Sequence, residues 1–285
     1  MYPAFGSLTW ITPYGLMLVV ALFGCWFYAR QRARVFGVDV SHVDLAIPLI
    51  FAVSLLGAEI LSVISPRDME FAGGNFQTHT RFRLFGLMLI GIPALYIYSR
   101  LAKQSFVRLL DLFALPVLLW LALIRIGCFM AGCCWGDLTW TYPAMSGIDD
   151  PRLSLQVLTL PWLSGEWLLF AVSFPTQSLA HHQHLALGLI DAGATSSLPV
   201  HPAQLYELVL LAVLLVVLRR VEIKQMTTGM LALFALAGYS MLRFFVEFLR
   251  ADNALILGSL TFHQLICIAL LLGSMACIPI IKRVI

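Results

Sequence analysis

Tyr239, Arg243, Glu247 and Arg250 follow one another at intervals of four, four and three in a late apolar stretch. At about 100° per residue they fall within an arc of about 80° on an α-helix, one polar stripe on an otherwise apolar surface. Arginine's planar fork suits phosphate and carboxylate alike. The stripe therefore has two readings, an internal Arg243–Glu247 ion pair at i,i+4 or a site for an anionic ligand. A second segment runs from Arg125 to Gly136 and contains Gly127, Gly132, Cys128, Cys133 and Cys134. Its glycines allow close backbone approach of a neighbour or a ligand. A third, His201-Pro-Ala-Gln-Leu-Tyr-Glu207, sets an imidazole, an amide, a phenol and a carboxylate within two turns. Tyr14 and Glu59 add a phenol and a carboxylate from two earlier stretches.

The elements that position these groups are set by composition. Of the 285 residues 60% are hydrophobic and 12% charged, against about 25% charged in a soluble domain. The mean hydropathy of +0.90 agrees, and lipid is the implied solvent. Runs at 11–30, 43–64, 82–98, 109–129, 203–218, 227–248 and 261–281 approach or reach the roughly 20 residues that a spanning helix needs. The fold expected is an all-α polytopic membrane protein of about seven transmembrane helices, with residues 1–285 forming a single membrane domain. Positive charge normally precedes the apolar part of a secretory signal; here no Lys or Arg precedes the first run, and no cleavable signal is expected.

Basic residues orient the spans. Arg30, Arg32 and Arg34 follow the first run; Arg100, Lys103 and Arg108 join the third and fourth; Arg219, Arg220 and Lys224 join the fifth and sixth; Lys282 and Arg283 follow the seventh. These eleven of the eighteen basic residues share one side of a seven-span arrangement, which the positive-inside rule makes cytoplasmic. The N-terminus is then outside and the C-terminus cytoplasmic. The other seven are all arginines: Arg67, Arg81, Arg83, Arg125, Arg152, Arg243 and Arg250. Each falls outside the membrane or in the outer part of a span. Arg125 and Arg243 lie about 24 Å above the cytoplasmic start of their runs at 1.5 Å per residue, near the outer edge of a core about 30 Å thick. An arginine there either snorkels, pairs with an acid, or serves a function. Residues 131–200 are expected as an outer-face head region holding four of the seven tryptophans (Trp135, Trp140, Trp162 and Trp167). Within it, 158–174 reads as an interfacial element, with an eighth span as the alternative. Polar groups from five spans thus meet at one depth, and a lipid headgroup is the natural ligand.

Three of these segments resemble those of the bacterial prolipoprotein diacylglyceryl transferases: Arg-x-Gly-x-Phe…Gly…Trp-Gly at 125–136, His-Pro-x-Gln-Leu-Tyr-Glu at 201–207, and Gly-Tyr-x-x-x-Arg-x-x-Val-Glu-Phe-x-Arg at 238–250. Tyr-Gly-Leu at 14–16 and Lys-x-Ser-Phe…Asp at 103–111 match as well, in order, over nearly the whole chain. The resemblance implies a multi-pass protein of the bacterial cytoplasmic (inner) membrane. Its activity would move diacylglyceryl from phosphatidylglycerol to the cysteine of a lipoprotein precursor, leaving glycerol 1-phosphate. It implies Arg125 and Arg243 as the phosphate-stabilising catalytic pair. Tyr14, Gly136, His201, Gln204, Tyr206, Glu207, Tyr239, Glu247 and Arg250 would form the substrate pocket. Phosphatidylglycerol or a similar anionic phospholipid and a lipoprotein precursor peptide are the expected partners. No metal, cofactor or nucleic acid is expected.

Departures from the family pattern fall on the acceptor side. Phe85 stands where the family has a histidine, a candidate base for the thiol, and Glu59 where it has an arginine. Cys128 replaces the family asparagine and Cys133 its glutamate. His201 and His263 are the alternative sources of a base. Cys128, Cys133 and Cys134 admit four readings: helix-end packing, a disulfide, a thiol nucleophile, or a metal site, although their spacing matches no zinc pattern. His181, His182 and His184 read as a solvated face. Two other functions stay open, a non-catalytic lipid-binding or lipid-transporting protein and a membrane thiol redox protein.

Overall fold

In the computed structural model the described residues are 12–64, 83–136, 138, 171–176, 178–222, 227–250, 255–257 and 260–284. They form eight helices: α1 (Pro13–Phe36), α2 (Val40–Ile64), α3 (Arg83–Leu101), α4 (Phe106–Ala131), α5 (Leu179–Ala186), α6 (Ala203–Glu222), α7 (Met230–Glu247) and α8 (Phe262–Val284). One small antiparallel pair, β1 (Leu255–Leu257) and β2 (Leu260–Thr261), precedes α8. Five helices contain segments long and apolar enough to cross a membrane: Pro13–Phe36, Val40–Gly57, Phe106–Ala131, Met230–Glu247 and Phe262–Pro279. The protein is therefore an all-helical, multi-pass membrane protein. Helix α6 differs in composition because it carries Glu207 near its start and Arg219, Arg220 and Glu222 at its end.

Local chemistry sets the helix ends. Thr12 caps α1, its Oγ1 accepting from the Gly15 amide at 3.0 Å, and Pro13 takes the first helical position, where a missing N–H costs nothing. Gly37 closes the helix in the left-handed conformation at φ 61°. Helix α4 starts on Ser105 and ends on Gly132, again left-handed at φ 65°. The bundle packs α1 on α4, α4 on α6, α6 on α7, α7 on α8, and α2 on α3. Phe23, Phe27, Leu56, Val213, Phe245 and Leu272 point outward, while ionic side chains turn inward. In lipid this inversion is the stable arrangement.

At the end of the bundle remote from Arg125, Arg32 departs from its expected place. The first run was bounded at residue 30, but α1 continues to Phe36 and Arg32 is only 2% exposed. Its guanidinium grips Glu222 with two bonds, Nη1 to Oε2 at 2.8 Å and Nη2 to Oε1 at 2.7 Å. It also donates to the carbonyls of Leu112 and Asp111, both at 2.9 Å. Nearby, the Asp111 carboxylate accepts from the amides of Gly229 and Ala232 at the start of α7. Arg32 and Asp111 thus fasten α1, α4, α6 and α7 together. The fork satisfied by a carboxylate and two carbonyls explains why this arginine is buried rather than facing headgroups.

Beyond α4, Trp135, Leu138, Phe174, Ala180 and Val200 form a separate small core. Isolated bridges pair Val200 with both Leu138 and Val172, and Pro175 with Ser196. Two of the three histidines are corrected here, while His182 is exposed as expected. His181 and His184 are 5% and 4% exposed, not solvated. His181 Nε2 meets the Ala194 carbonyl at 2.9 Å, and the Leu198 amide donates to His184 Nδ1 at 3.1 Å. The returning segment covers α5, and imidazoles supply its hydrogen bonds. Burial, with His181 beside it, pushes His184 down to about 4. Most of the anticipated interfacial element, with Trp140, Trp162, Trp167, Arg67, Arg81 and Arg152, lies outside the described residues.

Candidate active site

Helices α4, α6 and α7 each deliver one part of a buried ionic chain. Arg125 lies two turns from the end of α4, Glu207 in the second turn of α6, and Arg243 one turn before Glu247 on α7. Glu207 sits between the two arginines: its Oε1 is 2.8 Å from Arg125 Nη2 and its Oε2 is 3.3 Å from Arg243 Nη1. Arg243 Nη2 reaches Glu247 Oε2 at 2.8 Å, and Arg250 Nε stands 4.0 Å from the same oxygen. All four central groups are at most 5% exposed. Of the two readings of the α7 stripe, the i,i+4 ion pair forms, and it is one link of a wider ionic constellation. Charges taken this far from water persist only when paired.

Polar groups from the surrounding segments frame this chain. Gln204 Nε2 donates to the Cys133 carbonyl at 2.6 Å. His201 Nδ1 lies 3.4 Å from the Tyr206 hydroxyl, and burial lowers its pKa. Tyr239 is buried one turn before Arg243. Gly136 donates its amide to the His201 carbonyl at 2.7 Å and bridges to Arg250. A Cβ at Gly136 would come within 2.6 Å of His201 Cβ and 2.7 Å of the Leu249 oxygen, so only glycine fits. Gly127 is similarly close, with a Cβ there 2.9 Å from Met17 Cβ and 3.5 Å from Tyr14 Cα. That contact places the first turn of α1, with the partly exposed Tyr14, against the Arg125 segment.

Two donors and acceptors of the site are not satisfied. Arg125 Nε and Gln204 Oε1 are buried with no hydrogen-bond partner among the described residues. Such orphans are rare in native interiors, and each leaves a hydrogen-bonding position at the site open.

His263 joins the constellation, its Nδ1 3.3 Å from Glu247 Oε1. Thr261 and Gln264 were missed in the sequence. Thr261 Oγ1 donates to Glu247 Oε1 at 3.0 Å. The same residue and Gln264 cap α8 reciprocally, Thr261 N to Gln264 Oε1 at 2.9 Å and Gln264 N to Thr261 Oγ1 at 3.3 Å. The Thr-x-x-Gln pattern of a capping box was the available signal. Phe85 and Glu59 belong to α3 and α2, but their side chains lie outside the described residues.

Apolar helices that bury an arginine–carboxylate chain at one end define the class, a multi-pass membrane protein with an ionic centre inside its bundle. A family model described as prolipoprotein diacylglyceryl transferase matches residues 4–280. The chain belongs to that family. Among similar proteins, one from Azotobacter vinelandii is 27% identical over 290 residues, covering 92% of this chain and 86% of its own length. One from Pseudomonas putida is 28% identical over 284 residues, with the same coverage of 92% and 86%. Another from Xanthomonas oryzae pv. oryzae is 27% identical over 296 residues, covering 95% and 87%. Each bears the name phosphatidylglycerol–prolipoprotein diacylglyceryl transferase.

Proposed function

We propose that the protein transfers a diacylglyceryl group from phosphatidylglycerol to the cysteine thiol of a lipoprotein precursor, at the outer leaflet of the bacterial inner membrane. The acceptor sulfur attacks the glyceryl carbon, the carbon–oxygen bond to phosphate breaks, and glycerol 1-phosphate leaves with the electron pair. Negative charge grows on the phosphate during this step. Arg125 and Arg243 are assigned to stabilise it, in a site where water is excluded and each donor counts for more than in solution. The observation that carries this reading is Arg125 Nε, a buried guanidinium donor without a partner beside a second buried arginine. Tyr14, Gly136, His201, Gln204, Tyr206, Glu207, Tyr239, Glu247 and Arg250 would frame the headgroup.

The wider arrangement proposed is seven spans with the N-terminus outside and the C-terminus cytoplasmic. Residues 131–200 form the outer head between the fourth and fifth spans. On the acceptor side, His263 is assigned to take the thiol proton, because it meets Glu247 within the ionic chain, whereas His201 is turned to Tyr206.

The test is purified protein in phosphatidylglycerol vesicles with a precursor peptide bearing a single cysteine. Glycerol phosphate should be released as the peptide gains the mass of diacylglyceryl. Arg125→Ala and Arg243→Ala should each cut the rate by about 100-fold or more, as loss of one charge-stabilising donor does. Phe85, in place of the family histidine, favours a second reading in which the protein binds phospholipid without turnover. Binding of phosphatidylglycerol with no release of glycerol phosphate would establish that reading and refute transfer.

A further inference from the structure

The cysteines that follow Arg125 have no place in the transfer chemistry, and folding brings them together. Cys128 belongs to the last turn of α4, Cys133 follows the left-handed Gly132, and Cys134 is itself left-handed at φ 62°. This double reversal turns the chain back on the helix end, so that the Cys133 thiol reaches the Cys128 carbonyl at 3.6 Å. The three Sγ atoms all lie within 4.8 Å of one another. A cation bound to three sulfurs at about 2.3 Å each requires them about 4 Å apart in a trigonal arrangement. Side-chain adjustment of well under 1 Å closes that difference. A linear spacing with adjacent cysteines resembles no zinc pattern, yet the two left-handed residues convert it into a convergent trio.

We propose that Cys128, Cys133 and Cys134 form a binding site for a soft, thiophilic d10 cation, a class that thiolate ligands select over harder ions. Binding of a divalent ion forms three metal–sulfur bonds and releases three thiol protons to solvent, leaving a complex of net charge −1. The surroundings suit that charge, because Arg125 lies one turn before Cys128 on α4, and Gly136, two residues after Cys134, bridges to Arg250. Asp, Glu and His do not complete the trio among the described residues, which fits a soft ion rather than a hard one. The site also touches the ionic chain: Cys128 is three residues beyond Arg125, and the Cys133 carbonyl holds Gln204. Occupancy would therefore fix the position of Gln204 beside the proposed headgroup pocket.

Cd2+ serves as the probe, since thiolate-to-cadmium charge transfer gives an ultraviolet band. Reduced, detergent-purified protein should bind one equivalent per chain, without phospholipid. Cys133→Ser and Cys134→Ser should each lose the band, whereas the combined Cys25→Ser, Cys267→Ser and Cys277→Ser variant should keep it. In the wild type, bound Cd2+ should protect Cys128, Cys133 and Cys134 from maleimide and leave the exposed Cys277 reactive. Absence of the band in wild type, its persistence in both single variants, or protection confined to other cysteines would overturn the site. So would a disulfide between two of the three that persists under the reducing conditions of the titration. Because the readout needs neither lipid nor peptide, its failure is distinct from failure of the transfer reading.

Discussion

Replacing Glu207 with Gln removes the one carboxylate shared by both central arginines while keeping side-chain volume. The two contacts, 2.8 Å to Arg125 and 3.3 Å to Arg243, correspond to about 6 and 5 kcal/mol of attraction at an effective dielectric constant of 20. Desolvation of three charges and repulsion between the guanidiniums cancel much of this. Breaking a buried pair by removing one partner leaves a net cost of about 3–5 kcal/mol. The amide also turns N–H donors toward at least one guanidinium, which accepts nothing. Equilibrium unfolding in mixed detergent micelles should report the loss for Glu207→Gln. Phosphatidylglycerol, but not phosphatidylcholine, should then restore part of it, because its headgroup brings a net negative charge to the unpaired cations, whereas the choline ammonium offsets the phosphate of the other lipid. At a free concentration 100 times Kd that recovery is about 2.7 kcal/mol. A variant within about 1 kcal/mol of wild type would refute the view that Glu207 holds this site together. Equal recovery with both lipids would refute the anion site.

Three further outcomes follow from the structure. Arg32→Ala should cost about 3–5 kcal/mol in the same unfolding assay, while Arg34→Ala, at the exposed end of α1, should change it by less than about 0.5 kcal/mol. Gly136→Ala should destabilise by at least about 1–3 kcal/mol and abolish transfer, because the new methyl meets two backbone oxygens and a Cβ that cannot all retreat. His184 has its pKa lowered from 6.5 to about 4 by burial first and by His181 second. The unfolded state therefore binds more protons, so the contribution of His184 is fully present above pH 6.5 and is lost as pH falls toward about 4. Protection of the Leu198 amide, which donates to this ring, should fall relative to its intrinsic exchange rate through that window in wild type and stay level in His184→Gln.

Much of this was legible in the chain, for identifiable reasons. Apolar runs fix helices because lipid leaves no other way to satisfy the backbone, and the 4-4-3 spacing on α7 places Arg243 and Glu247 on one face without reference to any other helix. Arg125 and Glu207 were identified through their segments. That a single carboxylate joins Arg125 to Arg243 was not visible, since it depends on how α4, α6 and α7 pack. Arg32 shows the limit of charge counting: as one basic residue among eleven it looked topological, and only the approach of Glu222, 190 residues away in sequence, makes it a buried clasp. His181 and His184 look solvated in a polar segment, and only the returning chain at Ala194 and Leu198 covers them, while His182 stays exposed. Thr261 was overlooked although its capping pattern was local.

The clasp at Arg32 and Asp111 and the ionic chain at Glu207 involve the same three helices, α4, α6 and α7, at opposite ends. A trio tied at both extremities cannot shear or splay without breaking a buried charge pair. The geometry of its ionic chain is therefore insulated from changes in the rest of the molecule. Substitutions on α2 and α3, which lie outside this trio, can then accumulate without loosening the arginines. Such a frame keeps the buried arginines in register while the periphery of the bundle is free to diverge.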